Sequence, residues 1–243
     1  MVYYPIFLDL QDRPCLVIGG GREAQRKVEG LLAAGARVNV IAPALTVELQ
    51  RLLADGRIEH VRREYRDGDL EGYAICVVAT DDGAVNAQVA AEGKRQRVWV
   101  NAADDSANCD FILPSVIRRG AITVAASTSG TSPALARRLR EELEAYLTEE
   151  MPALAELLGE VRAELKSRGR LPDPEVWQEA IDEELRVLLA QRKYRQAKAR
   201  LLESLGAGEL VGELLGKQSS TDGSSGPSGR PTGRRKERTT TDR

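Results

Sequence analysis

The sequence predicts an α/β chain: a parallel β-sheet with helices on both faces, then a small α+β element, then an all-helical region. Three observations predict it. Up to about residue 113, runs rich in Val and Ile alternate with amphipathic helical stretches, the pattern of crossover units in a parallel sheet. After residue 110, "DFILPSVIRRGAITVAAST" reads instead as two strands joined at Arg119-Gly120, an antiparallel element. From Met151 onward, apolar residues recur only at helical spacing. These breaks divide the chain into 1–113, 114–150, 151–216 and 217–243.

In order, the strand-like runs are "RPCLVIG", "ARVNVIA", "RIEHVRR", "YAICVVAT" and "RVWVNAA", each bounded by turn residues. Between the first two, Ala24, Val28, Leu31 and Leu32 share one helical face, and Gly35 ends that helix. A second helix spans Thr46 to Ala54, and a third opens at Asp81 or Asp82, either of which can cap it. Ser132 is placed as N-cap and Pro133 as first residue of the helix in "SPALARRLREELEAYL", whose apolar stripe is Leu135, Leu139, Leu143 and Tyr146. Pro152 opens a helix with Leu154, Leu157, Leu158, Val161 and Leu165 inward. "RLPDPE" breaks it. Trp177, Ile181, Leu185, Leu188 and Leu189 mark the next, and a short helix around Ala197 to Leu205 is the last expected.

Composition excludes several classes of function. No apolar run approaches the roughly 18 residues that cross a bilayer, and the opening "MVYYPIFLDLQDRP" has no signal-like apolar core, so no membrane association and a cytoplasmic location are expected. The three cysteines, Cys15, Cys76 and Cys109, are far apart with no C-x-x-C, which argues against a disulfide framework and a structural metal site. Residues 217–243 carry seven Lys or Arg against three acids and no Val, Leu, Ile or aromatic residue, so this basic tail is expected to be disordered. The remainder is acidic, and the tail has no interleaved aromatics. Nucleic-acid binding is not expected.

The turn Gly19-Gly20-Gly21-Arg22-Glu23-Ala24 fits G-x-G-x-x-A after an apolar strand and before an amphipathic helix, the context of a Rossmann-type dinucleotide site. Gly19 permits the tight turn, Gly21 lets a pyrophosphate approach the backbone, and Ala24 allows close helix–sheet packing. The helix N-terminus then holds the phosphates. No acid follows the second strand, where "NVIAPAL" stands, and no Lys or Arg follows to take a 2′-phosphate. The adenosine therefore falls to Ala42, Pro43 and Ala44, and the missing cation favours NAD over NADP. Thr80 and Asp81, after the fourth strand, are expected in the crevice wall, with Asp81 also readable as a helix cap.

The stretches "YPIFLDLQDRPCLVIGGGREAQRKVEGLLAAGARVNVIAP", "VVATDDGAVNAQV" and "VNAADDSANCDFILPSVIRRGAITVAASTSGTSPALARRLREEL" resemble, in order and over residues 1 to 165, the precorrin-2 dehydrogenase (siroheme synthase amino-terminal) family. The resemblance implies NAD-dependent oxidation of precorrin-2 to sirohydrochlorin, with ferrous-iron insertion as a second activity in some members. Some members are fused to a methyltransferase domain; the given sequence ends before any such domain, so a stand-alone form is expected. Asp104, in "VWVNAAD", matches the family's catalytic aspartate. It lies at the carboxyl end of the fifth strand, where a carboxylate base is the better choice than the single histidine, His60. Thr128 stands where some members carry a phosphorylated serine, so that regulation is not carried over.

A tetrapyrrole of this class bears eight carboxylates. Ser127, Thr128, Ser129, Thr131, Ser132 and Arg137, beside Arg138 and Arg140, offer hydroxyls, a helix N-terminus and cations suited to them. No metal ligands are expected. The element Phe111 to Thr128 has few intrachain partners, and two strands alone are marginal. Pairing with a second copy would protect its edges, so a homodimer is expected. A nucleotide-sensing regulatory module is the rival reading, but such modules keep the acid after the second strand and do not need Asp104.

Overall fold

The computed structural model describes residues 3–102 and 106–216. Asp104 and the basic tail of 217–243 lie outside the described residues. The chain divides into two compact units, one running to Ile117 with Thr123–Tyr146, the other comprising Arg118–Ile122 and the chain from Leu147 onward.

The first unit is built on β1 (Pro14–Ile18), β2 (Arg37–Ile41), β3 (Ile58–Val61), β4 (Ile75–Val78) and β5 (Trp99–Ala102). They form one parallel sheet in the order β3-β2-β1-β4-β5. Its helices are α1 (Arg22–Ala33), α2 (Val47–Ala54) and α3 (Gly83–Gln96). The chain moves from β1 to β3 in one direction and from β4 to β5 in the other. Right-handed crossovers therefore put α1 and α2 on one face and α3 on the opposite face. Two cores follow. Ala24, Val28 and Leu49 pack with Cys15, Val17, Val38 and Val40 on one side. Val89 packs with Leu16, Ile18, Cys76 and Val78 on the other. Strands covered on both faces read as unbroken apolar runs, and every residue of β4 is buried.

Local chemistry sets the element ends. Thr46 Oγ1 accepts from Leu49 N at 3.3 Å and starts α2, while Gly35, at φ +76°, closes α1 as Ala36 N reaches Leu31 O and Gly35 N reaches Leu32 O. Of the two aspartates that could open α3, Asp82 does so, accepting from Ala84 N at 2.8 Å and Val85 N at 3.2 Å.

The segment crossing from β3 to β4 is tied down by a buried carboxylate. Glu92 of α3 is fully buried and accepts from Tyr65 Oη at 2.5 Å and from Leu70 N at 2.9 Å. Arg63 closes the same segment with a two-pronged contact to Asp69, both distances 2.6 Å.

After β5 come a single 3-10 turn (Ser106–Asn108), then β6 (Ser115–Arg119) and β7 (Ile122–Ala126), joined at Gly120-Ala121 into a two-stranded sheet. α4 (Pro133–Tyr146) follows, with Ser132 Oγ accepting from Leu135 N at 3.2 Å. Its expected apolar stripe is exposed rather than buried, Leu135 to 51% and Tyr146 to 76%, and only Ala136 of this helix is buried.

The second unit contains α5 (Met151–Ser167), α6 (Pro174–Ala180), α7 (Glu183–Ala190), α8 (Tyr194–Ser204) and α9 (Glu209–Gly216). Leu154, Leu157, Val161 and Leu165 form the inward face of α5, as their spacing predicts. Two expectations need correction here. The single helix drawn through Trp177, Ile181, Leu185, Leu188 and Leu189 is two helices. Asp182 accepts from Leu185 N at 2.8 Å and begins α7 afresh, leaving Ile181 40% exposed in the break. Arg200 of α8 binds the same carboxylate and holds it below the ordinary Asp range, which fixes the break in place. The helix expected from Ala197 begins earlier, at Tyr194, and α9 follows it unanticipated.

Removing the buried carboxylate in Glu92→Ala leaves two donors without an acceptor. Protection of the β1 and β4 amides in hydrogen exchange is expected to fall by about 2–4 kcal/mol. Unchanged protection would show that the crossing segment is held by packing alone.

Candidate active site

The sheet order reverses at β1, so a crevice opens between the carboxyl ends of β1 and β4, where ligands of this fold class bind. Its floor is a place of close backbone approach. Gly19 has φ +118°, and a Cβ there would lie 2.3 Å from Ala79 O. A Cβ on Gly20 would lie 1.9 Å from Ala44 O. Gly19 N donates to Ile41 O at 2.9 Å and Gly20 O accepts from Thr46 N at 3.0 Å, so the turn is stitched to the exits of β2 and into α2.

Gly21 differs from its neighbours. It is the N-cap of α1 at φ −82° and ψ −169°, makes no side-chain capping bond, and has open space where a Cβ would point. The first bonded amide of the helix is Gln25 N, to Gly21 O at 3.0 Å. The preceding amides of Arg22, Glu23 and Ala24 have no protein acceptor among the described residues, and with the positive end of the helix they can hold a pyrophosphate. Ala24 is fully buried against the sheet. Arg22 is exposed, while Glu23 is engaged by Arg26 at 2.5 Å.

The other residues expected at the cofactor come to the same edge. Ala42 is buried, its N donating to Val61 O at 3.3 Å and its O contacting His60 Nε2 at 2.9 Å. The single histidine is thus a brace between strand ends. Pro43 and Ala44 are exposed beside it. Thr80 Oγ1 accepts from Asp82 N at 2.9 Å, and since Asp82 is the cap of α3, Asp81 is left exposed at the crevice wall. An open cleft of ≈470 Å³ adjoins this edge, lined by Pro43 and by Arg62 to Arg66. Linear reading of the β2 exit missed it, because the arginines come from the end of the neighbouring strand.

At the exit of β5, three side chains tie the strand to residues 109–111. Asn101 is buried and donates from Nδ2 to Phe111 O at 2.9 Å; Cys109 Sγ donates to Ala102 O at 3.1 Å. Asp110 accepts from Val100 N at 2.9 Å, and its own N donates to Val100 O at 2.8 Å. Sequence reasoning gave none of the three a role at the site. A polar residue inside an otherwise apolar strand, Asn101 in "VWVNAA", was the available signal. Asp104 itself lies outside the described residues.

The hydroxyl-rich loop is mostly self-bonded. Thr128 Oγ1 donates to Ser132 O and accepts from Ser132 N, both at 3.0 Å, and Ser127 Oγ accepts from Ser129 N at 3.0 Å. Arg138 and Arg140 pair with Glu142 and Glu144 at 2.8 and 3.0 Å. Arg137 is exposed and has no carboxylate partner among the described residues; Ser129 and Thr131 also present their hydroxyls at the exposed loop. No hydrogen bond joins this loop to the β1–β4 edge among the described residues. Among those residues, no group of three or more His, Cys, Asp or Glu could hold a metal ion. Burial pushes the thiol of Cys15 up to about 11 and that of Cys76 higher still, so both are core thiols.

Two families match the chain: "Putative NAD(P)-binding" over residues 6–115, and "Sirohaem biosynthesis protein central" over residues 119–146. The solved structure of SirC, precorrin-2 dehydrogenase, superimposes with a TM-score of 0.67 at 32% identity, covering 82% of this chain and 100% of that one. The chain belongs to the precorrin-2 dehydrogenase family. Its curated relatives include siroheme synthases. That of Photobacterium profundum is 41% identical over 204 residues, 83% of this chain and 44% of the relative. Siroheme synthase 1 of Serratia proteamaculans is 44% identical over 168 residues, 69% of this chain and 35% of the relative. The chain thus spans less than half the length of these relatives. Among the described residues no helix is long and apolar enough to cross a membrane.

The bare α1 terminus yields a direct test. Gly21→Asp has room for its side chain and a φ open to any residue, so the fold is expected to persist. A carboxylate beside the phosphate position is expected to weaken dinucleotide binding by tenfold or more, roughly the value of one lost charge-assisted contact. Equal affinity by calorimetry would remove the turn from the site.

Proposed function

We propose that this chain is an NAD-dependent precorrin-2 dehydrogenase that converts precorrin-2 to sirohydrochlorin in siroheme biosynthesis. The observation that carries the reading is the uncapped N-terminus of α1 at the point where the strand order reverses, with Gly19 and Gly20 admitting no side chain and Gly21 facing open space. Membership in the precorrin-2 dehydrogenase family supplies the substrate class. The residues present fit a nicotinamide dinucleotide: free amides for the pyrophosphate, uncharged Ala42, Pro43 and Ala44 for the adenosine, and Thr80 and Asp81 along the β4 exit. When bound, the nicotinamide supplies the acceptor for a hydride leaving the reduced macrocycle.

The chain's own residues do the rest. Loss of a hydride from carbon leaves a proton to be removed, and Asp104 at the β5 exit is the proposed base. Hydrogen bonds of Asn101, Cys109 and Asp110 join the β5 exit to residues 109–111 on the far side of that position. The substrate's carboxylates are assigned to the 127–137 loop. There Arg137 is unpaired while its neighbours Arg138 and Arg140 are neutralised by glutamates on the same helix. Ser127, Thr128 and Ser132 shape that loop, and Ser129 and Thr131 offer it hydroxyl donors.

The active form proposed is a homodimer. Leu135, Leu139, Leu143 and Tyr146 are all at least 36% exposed along one stripe of α4, and β6 with β7 is a two-stranded sheet that leaves edges open. A second copy covering both would bury that apolar surface. Light scattering at micromolar concentration is expected to give twice the chain mass. A monomer would refute this.

Asp104→Asn keeps the size of the side chain but cannot take a proton. It is expected to bind NAD with unchanged affinity and to form NADH from precorrin-2 about 10²–10⁴-fold more slowly. If Asn retains most of the rate while Asp105→Ala abolishes it, the neighbouring carboxylate is the base. Adding Fe²⁺ to the sirohydrochlorin product and following its absorption separates metal insertion from oxidation.

A further inference from the structure

The geometry points to a 2′-phosphate subsite in the cleft at the carboxyl ends of β2 and β3, through which Arg62 and Arg66 let the chain accept NADP alongside NAD. This inference rests on the dinucleotide reading of the Gly19–Ala24 turn and deepens it. The register pairs Ile41 with Val61, which sets Arg62 level with Ala42, the first residue beyond β2. In this fold class the adenosine ribose is held at that level, by an acid when its hydroxyls are free and beside an arginine when it is phosphorylated. Here Ala42, Pro43 and Ala44 supply no acid, so nothing at the β2 exit repels a phosphate. The cation comes instead from one strand over.

The cleft itself fits an anion. Its ≈470 Å³ is lined by Pro43, from the adenosine side, and by the run Arg62 to Arg66, with Glu64 as the one acid of the lining. Its three arginines are not equivalent. Arg63 is held by both oxygens of Asp69 at 2.6 Å and donates to Glu64 O at 2.9 Å, so its charge is already matched. Arg62 and Arg66 are exposed and neither forms a close ion pair among the described residues, although the charge of Arg66 also helps hold Asp69 below the ordinary Asp range. Asp69 Oδ2 also accepts from Arg66 N at 2.8 Å, so one carboxylate fixes the turn that presents Arg62 and Arg66. A planar guanidinium matches two phosphate oxygens at once, and a dianion gains most from such forks.

Binding constants for NAD and NADP, measured by calorimetry on the full chain in phosphate-free buffer, test this directly. Wild type is expected to bind NADP at least as tightly as NAD, and 2′-AMP is expected to displace NADP more effectively than 5′-AMP. Arg62→Glu and Arg66→Glu are each expected to weaken NADP roughly tenfold or more while moving NAD by less than about threefold. Retained NAD binding shows that the variants are folded. Wild type that binds NAD but binds NADP tenfold more weakly overturns the inference, as does NADP affinity unmoved by both reversals. Equal loss of NAD and NADP in the variants also overturns it, since the cleft would then hold the shared adenosine. Should wild type bind neither dinucleotide, the dehydrogenase reading falls as well.

Discussion

The contact on which the molecule turns is between backbones. At the point where the sheet order reverses, the chain leaving β1 touches the chain leaving β4 through Gly19 and Ala79, and the chain leaving β2 through Gly20 and Ala44. Each approach is too close for any side chain. Because the loops meet there, the exits of β1, β2 and β4 form one surface rather than three separate loops, and α1 starts with its amides aimed across it. Larger residues at these two positions would push the loops apart and lose the surface along with the turn.

Much of this is legible in the amino-acid order alone, for physical reasons that differ along the chain. The five parallel strands show because burial on both faces demands long apolar runs, and Ile75–Val78 has no polar residue to interrupt it. The Gly19–Ala24 turn shows because a close approach restricts residue type at fixed spacing. Where linear reading fails, distant partners decide. The apolar spacing through Trp177 and Leu189 suits one helix, and only the pairing of Asp182 with Arg200 from α8 makes the break at Ile181 stable. The amphipathic pattern of α4 is plain in its sequence, yet a pattern states which face is apolar and not what covers it.

The same distinction explains what linear reading misses at the site. Arg62 is remote from the glycine turn in sequence, and the strand order alone places it beside Ala42. Glu92, further along the chain, reads as an ordinary surface acid of a helix, yet it is fully buried and secures the segment that follows Arg62. A charged residue buried with its acceptors satisfied contributes geometry more than net stability. Here the geometry delivered is the path from β3 to β4, and with it the lining of the cleft.

The treatment of helix N-termini separates architecture from function. Within the first unit, Thr46 caps α2, Asp82 caps α3 and Ser132 caps α4, each accepting from amides of the first turn at 3.3 Å or less. These side chains satisfy donors that would otherwise lack partners, at a typical gain of about 1 kcal/mol per cap. α1 forgoes that gain: its cap position is Gly21, which brings no oxygen, and the space in front of it is empty. The first unit caps α2, α3 and α4 and leaves α1 bare at the crevice, so the first amides of α1 are free for an acceptor that is not protein. Propensity does not account for the choice, since Ser or Asp would fit the extended conformation at Gly21 and its open surroundings. An oxygen held there would occupy the place of the phosphate, and a carboxylate would also repel it. On the proposed reading of this turn, the missing cap is part of the dinucleotide site.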